Sequence, residues 1–181
     1  MTKEEIRELI KAADIRKYWK DSSKIQVFNS NFTKDSRNVE LIKSAKQEIL
    51  AYLDEQEAEE NARREDRKRR IREIEGLTEI ENAKSAINRW YDKFNASFEG
   101  ENACGGMGCG SKPDYDFEAA YKKYPRAAAY LECEEYAHKS NWELSAIGKE
   151  ALEEVIYGDY EKALKMLEEG RNEFCMKHAW D

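Results

Sequence analysis

Residues 124–174 read YPRAAAYLECEEYAHKSNWELSAIGKEALEEVIYGDYEKALKMLEEGRNEF, and their punctuation predicts three short helices. Pro125 suits the first position of a helix, where its missing N–H would lack a partner anyway, and that helix runs to about His138. Ser140 and Glu143 have capping-box spacing, with Leu144, Ile147, Ala151, Leu152 and Val155 behind them at helical intervals. Gly158 and Asp159 read as a stop followed by a new cap. The last helix puts Tyr160, Ala163, Leu164, Leu167, Phe174 and His178 on one face. Amphipathic helices joined this tightly bury their stripes against one another, as a small bundle.

The same pattern extends towards the N-terminus. Pro113 and Pro125 are the only prolines and five of the nine glycines fall between 100 and 110, so the rest of the 181 residues is largely free of helix breakers. Thr2 and Glu5 cap a first helix with Ile6, Leu9, Ile10 and Ile15 on one side, ending near Trp19. Residues 24–33, KIQVFNSNFT, allow one short strand or an extended arm, with no partner strand evident. From Asn38 as N-cap, a stripe of Ile42, Ala45, Ile49, Tyr52 and Leu53 stops at 54, and strong helix formers carry the helix to about 75 with its second half in water. Gly76 marks its end. Thr78 and Glu81 form another capping box, ahead of Ile80, Ala83, Ile87, Trp90, Tyr91, Phe94 and Phe98. Residues 100–113, GENACGGMGCGSKP, read as a flexible linker. The expected fold is mainly α, a long charged helix plus a small helical bundle with at most one short strand. It divides into a helical region 1–99, the glycine-rich linker 100–113 and an acidic bundle 114–181.

Leu, Ile, Val and Phe supply 31 of the 181 residues, a thin core, yet 20 aromatics and a net charge of only −7 argue against disorder. A folded, lean-cored protein that is elongated or leans on a partner fits both facts. No apolar run approaches the ~20 residues of a membrane span, and MTKEEIRELIK lacks the apolar core of a signal peptide, which predicts a cytoplasmic protein with no membrane partner. Cys104, Cys109, Cys133 and Cys175 are then expected as reduced thiols. Residues 113–181 hold 16 acidic and 9 basic side chains, so the excess acid lies in the bundle. The neutral remainder is blocked: five acids and no base in 54–60, seven bases and two acids in 63–72. Antiparallel pairing of the long helix with a second copy would set these blocks opposite one another, which makes a homodimer an expectation.

The basic block Arg63, Arg64, Arg67, Lys68, Arg69, Arg70 and Arg72 is a candidate phosphate-binding set, since each guanidinium offers a forked donor. It lacks interleaved aromatics, and Glu57, Glu59 and Glu60 precede it at i,i+4 distances, so a solvated helix face is the plainer reading. GGMGCGSK at 105–112 resembles a phosphate loop only superficially, because Ser111 precedes Lys112 and no strand leads in. Cys104 and Cys109 are weak zinc candidates, with Cys133, His138, Cys175 and His178 as remote completing ligands. Cys133 and Cys175 also fit buried helix faces as small apolar residues, so no metal and no cofactor is expected. His138 and His178 are the only histidines and no nucleophile is paired with a base, which predicts a protein that is not an enzyme. Trp90, Trp142 and Trp180, with ten tyrosines, suit interface anchoring or a core.

Residues 124–174 resemble the C-terminal part of small helical proteins carried by phages and mobile elements of gut Firmicutes, some of which are anti-CRISPR inhibitors of Cas9. The resemblance implies inhibition of a bacterial RNA-guided nuclease by binding, in the host cytoplasm, to the nuclease alone or with its guide RNA. A channel built to hold nucleic acid is positively charged, which makes Glu132, Glu134, Glu135, Glu153, Glu154, Glu168 and Glu169 the expected partner-binding residues. The alternative is a nucleic-acid-binding adaptor that uses the basic 63–72 helix.

Overall fold

The computed structural model describes residues 1–99, 105–106 and 109–179. Among them are eight α-helices and one two-stranded sheet, grouped into two compact units, Met1–Asp66 and Arg67–Asp181. No helix among the described residues is long and apolar enough to cross a membrane.

The first unit opens with α1 (Lys3–Ala13), capped reciprocally by Thr2 and Glu5 as the spacing predicts. The helix stops at Ala13 rather than near Trp19. Asp14 turns left-handed (φ 47°, ψ 63°), a conformation Asp tolerates better than most residues. Ile15 then begins β1 (Ile15–Tyr18), which pairs antiparallel with β2 (Asp21–Val27), setting Ile15 opposite Val27 and Lys17 opposite Ile25. There are therefore two strands, not one. The missing partner was the chain just upstream, whose β-favouring Ile15 and Tyr18 were absorbed into the helical reading.

The expected helix from 38 to 75 is two helices, α2 (Ser36–Ser44) and α3 (Lys46–Arg72). Asp35, not Asn38, is the N-cap of α2; the Asn38 amide donates instead to the Phe32 carbonyl. At the break, the Ser44 hydroxyl donates to the Leu41 carbonyl at 2.9 Å, a back-bond that bends helices, and Ala45 leaves helical geometry. Ile42 and Ile49 from these two helices and Ala45 between them close a core with Ile6, Leu9, Ala13 and Ile15. Residues from Arg67 onward in α3 belong to the second unit.

In the second unit α4 (Leu77–Ala96) starts from Gly76, whose φ of 78° suits glycine, and Tyr124 packs where a Cβ would stand. Thr78 is thus inside the helix and forms no capping box. After α5 (Phe117–Lys123), the bundle of α6 (Pro125–Ala137), α7 (Trp142–Tyr157) and α8 (Tyr160–Lys177) follows the expected order. Asn141, not Ser140, caps α7, accepting from the Glu143 and Leu144 amides; Asp159 caps α8 as expected. Gly148 lets α7 approach the end of α6 so closely that a Cβ there would run into the Ala137 nitrogen and the Tyr136 carbonyl carbon. The Arg126 guanidinium donates to the Val155 and Ile156 carbonyls at 2.8 and 3.1 Å, closing the C-terminal end of α7. Tyr130, Cys133, Leu152, Val155, Ile156 and Leu167 fill the core together with Ile74, Leu77 and Ile80.

The apolar stripe of α4 is only half used. Leu77 and Ile80 are buried, but farther along Trp90 stacks on Phe94 at 4.9 Å and Phe94 meets Phe98 edge-to-face at 5.0 Å, with Phe98 56% exposed. Cys104 and Met107 of the glycine-rich stretch lie outside the described residues. Its described part is tied to α4 rather than loose: Gly105 and Gly106 amides donate to the Ser97 carbonyl and hydroxyl, and the Trp90 indole donates to the Gly110 carbonyl.

Candidate functional site

The seven glutamates expected to meet a partner lie on three helices. Glu132 stands 3.8 Å from Arg171, Glu135 holds Lys139 at 2.7 Å, and Glu169 is 3.7 Å from Lys165. Glu153 accepts from Arg67 at 2.9 Å and Glu154 from Lys162 at 3.1 Å. Lys139 holds the Glu135 carboxyl below its usual pKa, and Lys162 does the same for Glu154. Glu168 is exposed, without an ion pair among the described residues. Most of this acid is therefore matched within the chain.

Glu134 and Glu135 are brought together with groups from another helix. They line a groove of about 550 Å³ between α6 and α4, with Leu131 and His138 beside them and Glu81 and Lys84 across it. Glu134 accepts only a long hydrogen bond, 3.4 Å, from the Tyr130 hydroxyl. Burial pushes that phenol up to about 12, aided by the Glu134 charge, so it stays a donor. Glu81 reaches solvent at its rim, yet desolvation of its carboxyl, followed by the like charge of Glu134, raises its pKa; Lys84 opposes the shift. Two carboxylates are thus crowded with one lysine, an arrangement that a further cation relieves. Glu81 was read as a capping-box partner and so was missed as a groove residue; no spacing in the sequence relates it to Glu134, 53 positions away.

The basic block is largely engaged. Arg64 pairs with Glu60 in the first unit; in the second, Arg67 pairs with Glu153, Arg69 with Glu73, and Arg70 lies over the Tyr157 ring. Lys68 has an interaction of its own, while Arg63 and Arg72 are exposed without an ion pair among the described residues.

Among the described residues no set of three or more His, Cys, Asp and Glu side chains could hold a metal ion. Cys109 is half-buried and free, and its expected partner Cys104 lies outside the described residues. Cys133 is fully buried, which pushes its thiol up to about 11 and suits a core residue rather than a thiolate ligand. Cys175, expected on a buried face, is exposed. His178, placed on the apolar face of the last helix, lies instead at its exposed end, 3.5 Å from Glu143 and against the Phe174 ring. Trp180 lies outside the described residues and Trp142 is 76% exposed.

Comparison with protein-family models, with curated proteins and with solved structures gives no match.

Proposed function

We propose that the chain is a non-enzymatic binding protein whose α4–α6 groove takes a basic side chain of a protein partner, and that the partner is a bacterial RNA-guided nuclease of the Cas9 type. The observation that carries this reading is the crowding of Glu81 and Glu134 in an open groove, where burial and like charge raise the Glu81 pKa. An arginine or lysine entering there offsets the like charge of the two carboxylates and gains a charge-assisted hydrogen bond. The identity of the partner rests on the resemblance of residues 124–174 alone. The channel such a nuclease uses for nucleic acid offers the required cations. The basic 63–72 helix as a nucleic-acid arm draws less support, because four of its seven cations already hold a carboxylate or an aromatic ring.

Pull-down of purified nuclease, with and without guide RNA, tests the partner. Retention of the guide-free nuclease supports a protein surface competing for the channel; retention only with guide RNA moves the contact to the nucleic acid, and failure of both removes this partner.

A further inference from the structure

A different cleft on α4 lies apart from the groove, and its reading does not depend on the groove's. It measures about 270 Å³ and is walled by Arg89, Trp90 and Lys93 on the helix and by Cys109, Ser111 and Pro113 opposite. Arg89 and Lys93 are four positions apart and so project to one side of the helix. Both are exposed, and neither has an ion pair among the described residues. Other cations, Arg63 and Arg72 among them, also lack an ion pair among the described residues; what distinguishes this pair is the tryptophan that shares its cleft. Between them the Trp90 indole is fixed twice: its N–H donates to the Gly110 carbonyl at 3.1 Å, and its ring stacks on Phe94 at 4.9 Å and 16°. The indole also meets the Tyr91 ring edge-on at 5.2 Å, and this held aromatic, beside two cations without an ion pair among the described residues, offers aromatic surface and positive charge to the same ligand. An acidic side chain would satisfy the cations but leave the indole unused; a base carrying a phosphate uses both.

We propose that this cleft binds a nucleoside phosphate, free or as a unit of single-stranded nucleic acid, with the phosphate on Arg89 and Lys93 and the base on Trp90. The Ser111 hydroxyl supplies a further donor at the opposite wall. In the sequence the denser 63–72 block masks this pair of cations. Its signal was present: the i±4 neighbours of Arg89 and Lys93 are Ser85, Ser97 and each other, none of them acidic.

The test follows the Trp90 indole N–H resonance by ¹⁵N spectroscopy of the full chain during titration with adenosine monophosphate, a short oligoadenylate, inorganic phosphate and a poly-glutamate peptide. The proposal expects the Trp90 signal to shift with a nucleotide probe and much less with phosphate or peptide. A response to the monophosphate as strong as to the oligomer identifies a free nucleotide, and a stronger response to the oligomer identifies nucleic acid. For an oligomer, R89Q/K93Q lowers the slope of log affinity against log salt by about 1.4, two cations at roughly 0.7 each. Circular dichroism checks that the variant retains its helices. An unmoved Trp90 signal, an equal response to poly-glutamate, or unchanged affinity in the folded double variant overturns the site.

Discussion

At Gly148 and Glu81 a single side chain decides a local balance. Gly148 has no room for a methyl group because the α6 backbone lies against it. G148A is expected to destabilise the second unit by about 1–3 kcal/mol, the usual cost of overpacking, read as a lowered denaturation midpoint in urea. Glu81 behaves in the opposite sense. Its folded pKa is raised above its unfolded value, first by desolvation and then by Glu134. Its ionised form therefore weakens the fold above the folded pKa, and that penalty disappears as pH falls through it towards the unfolded value. E81Q should raise the melting temperature at neutral pH, with the gain vanishing in acid; equal gains at both pH values would show that charge is not the cause.

Among the elements, α7 depends on a residue outside itself. Its final carbonyls, Val155 and Ile156, accept from Arg126 on α6. R126M keeps much of the aliphatic stem but leaves those acceptors to water, with an expected loss of about 1–3 kcal/mol measured by chemical denaturation. An unchanged midpoint would show that solvent replaces the guanidinium fully. The elements also mark what the sequence could disclose. Thr2 with Glu5, Pro125 and Asp159 were legible because each acts on its immediate neighbours. The hairpin was not, since Ile15 makes sense on an amphipathic stripe until Val27 is known to sit opposite. The break at Ala45 rests on the Ser44 hydroxyl choosing a backbone acceptor over water, which spacing does not encode. In the groove, Glu134 and Glu135 were legible as bundle acid, whereas Glu81 entered only through the packing of α4 on α6.

At the scale of the whole molecule, acid that looks segregated along the chain meets bases in space among the described residues. In the first unit Lys3 meets Glu55, and Lys17 meets Asp54 and Glu57, so the acidic 54–60 block finds bases in its own chain. This removes the electrostatic reason for antiparallel pairing with a second copy, and light scattering at physiological salt is expected to give the 21.2 kDa monomer. A stable dimer would instead point to the exposed apolar groups, among them Trp19, Phe98 and Trp142. Among the charges without an ion pair in the described residues, the Glu81–Glu134 pair is the one on which the proposed function rests. Calorimetric titration of guide-free Cas9-type nuclease with the wild-type chain and with E81Q/E134Q measures this directly. The wild-type chain is predicted to bind, and E81Q/E134Q to bind at least about tenfold more weakly, a loss near 1.4 kcal/mol. R69E/R72E should bind as the wild type does. Binding that survives E81Q/E134Q intact and is lost in R69E/R72E would contradict the groove and return function to the basic helix.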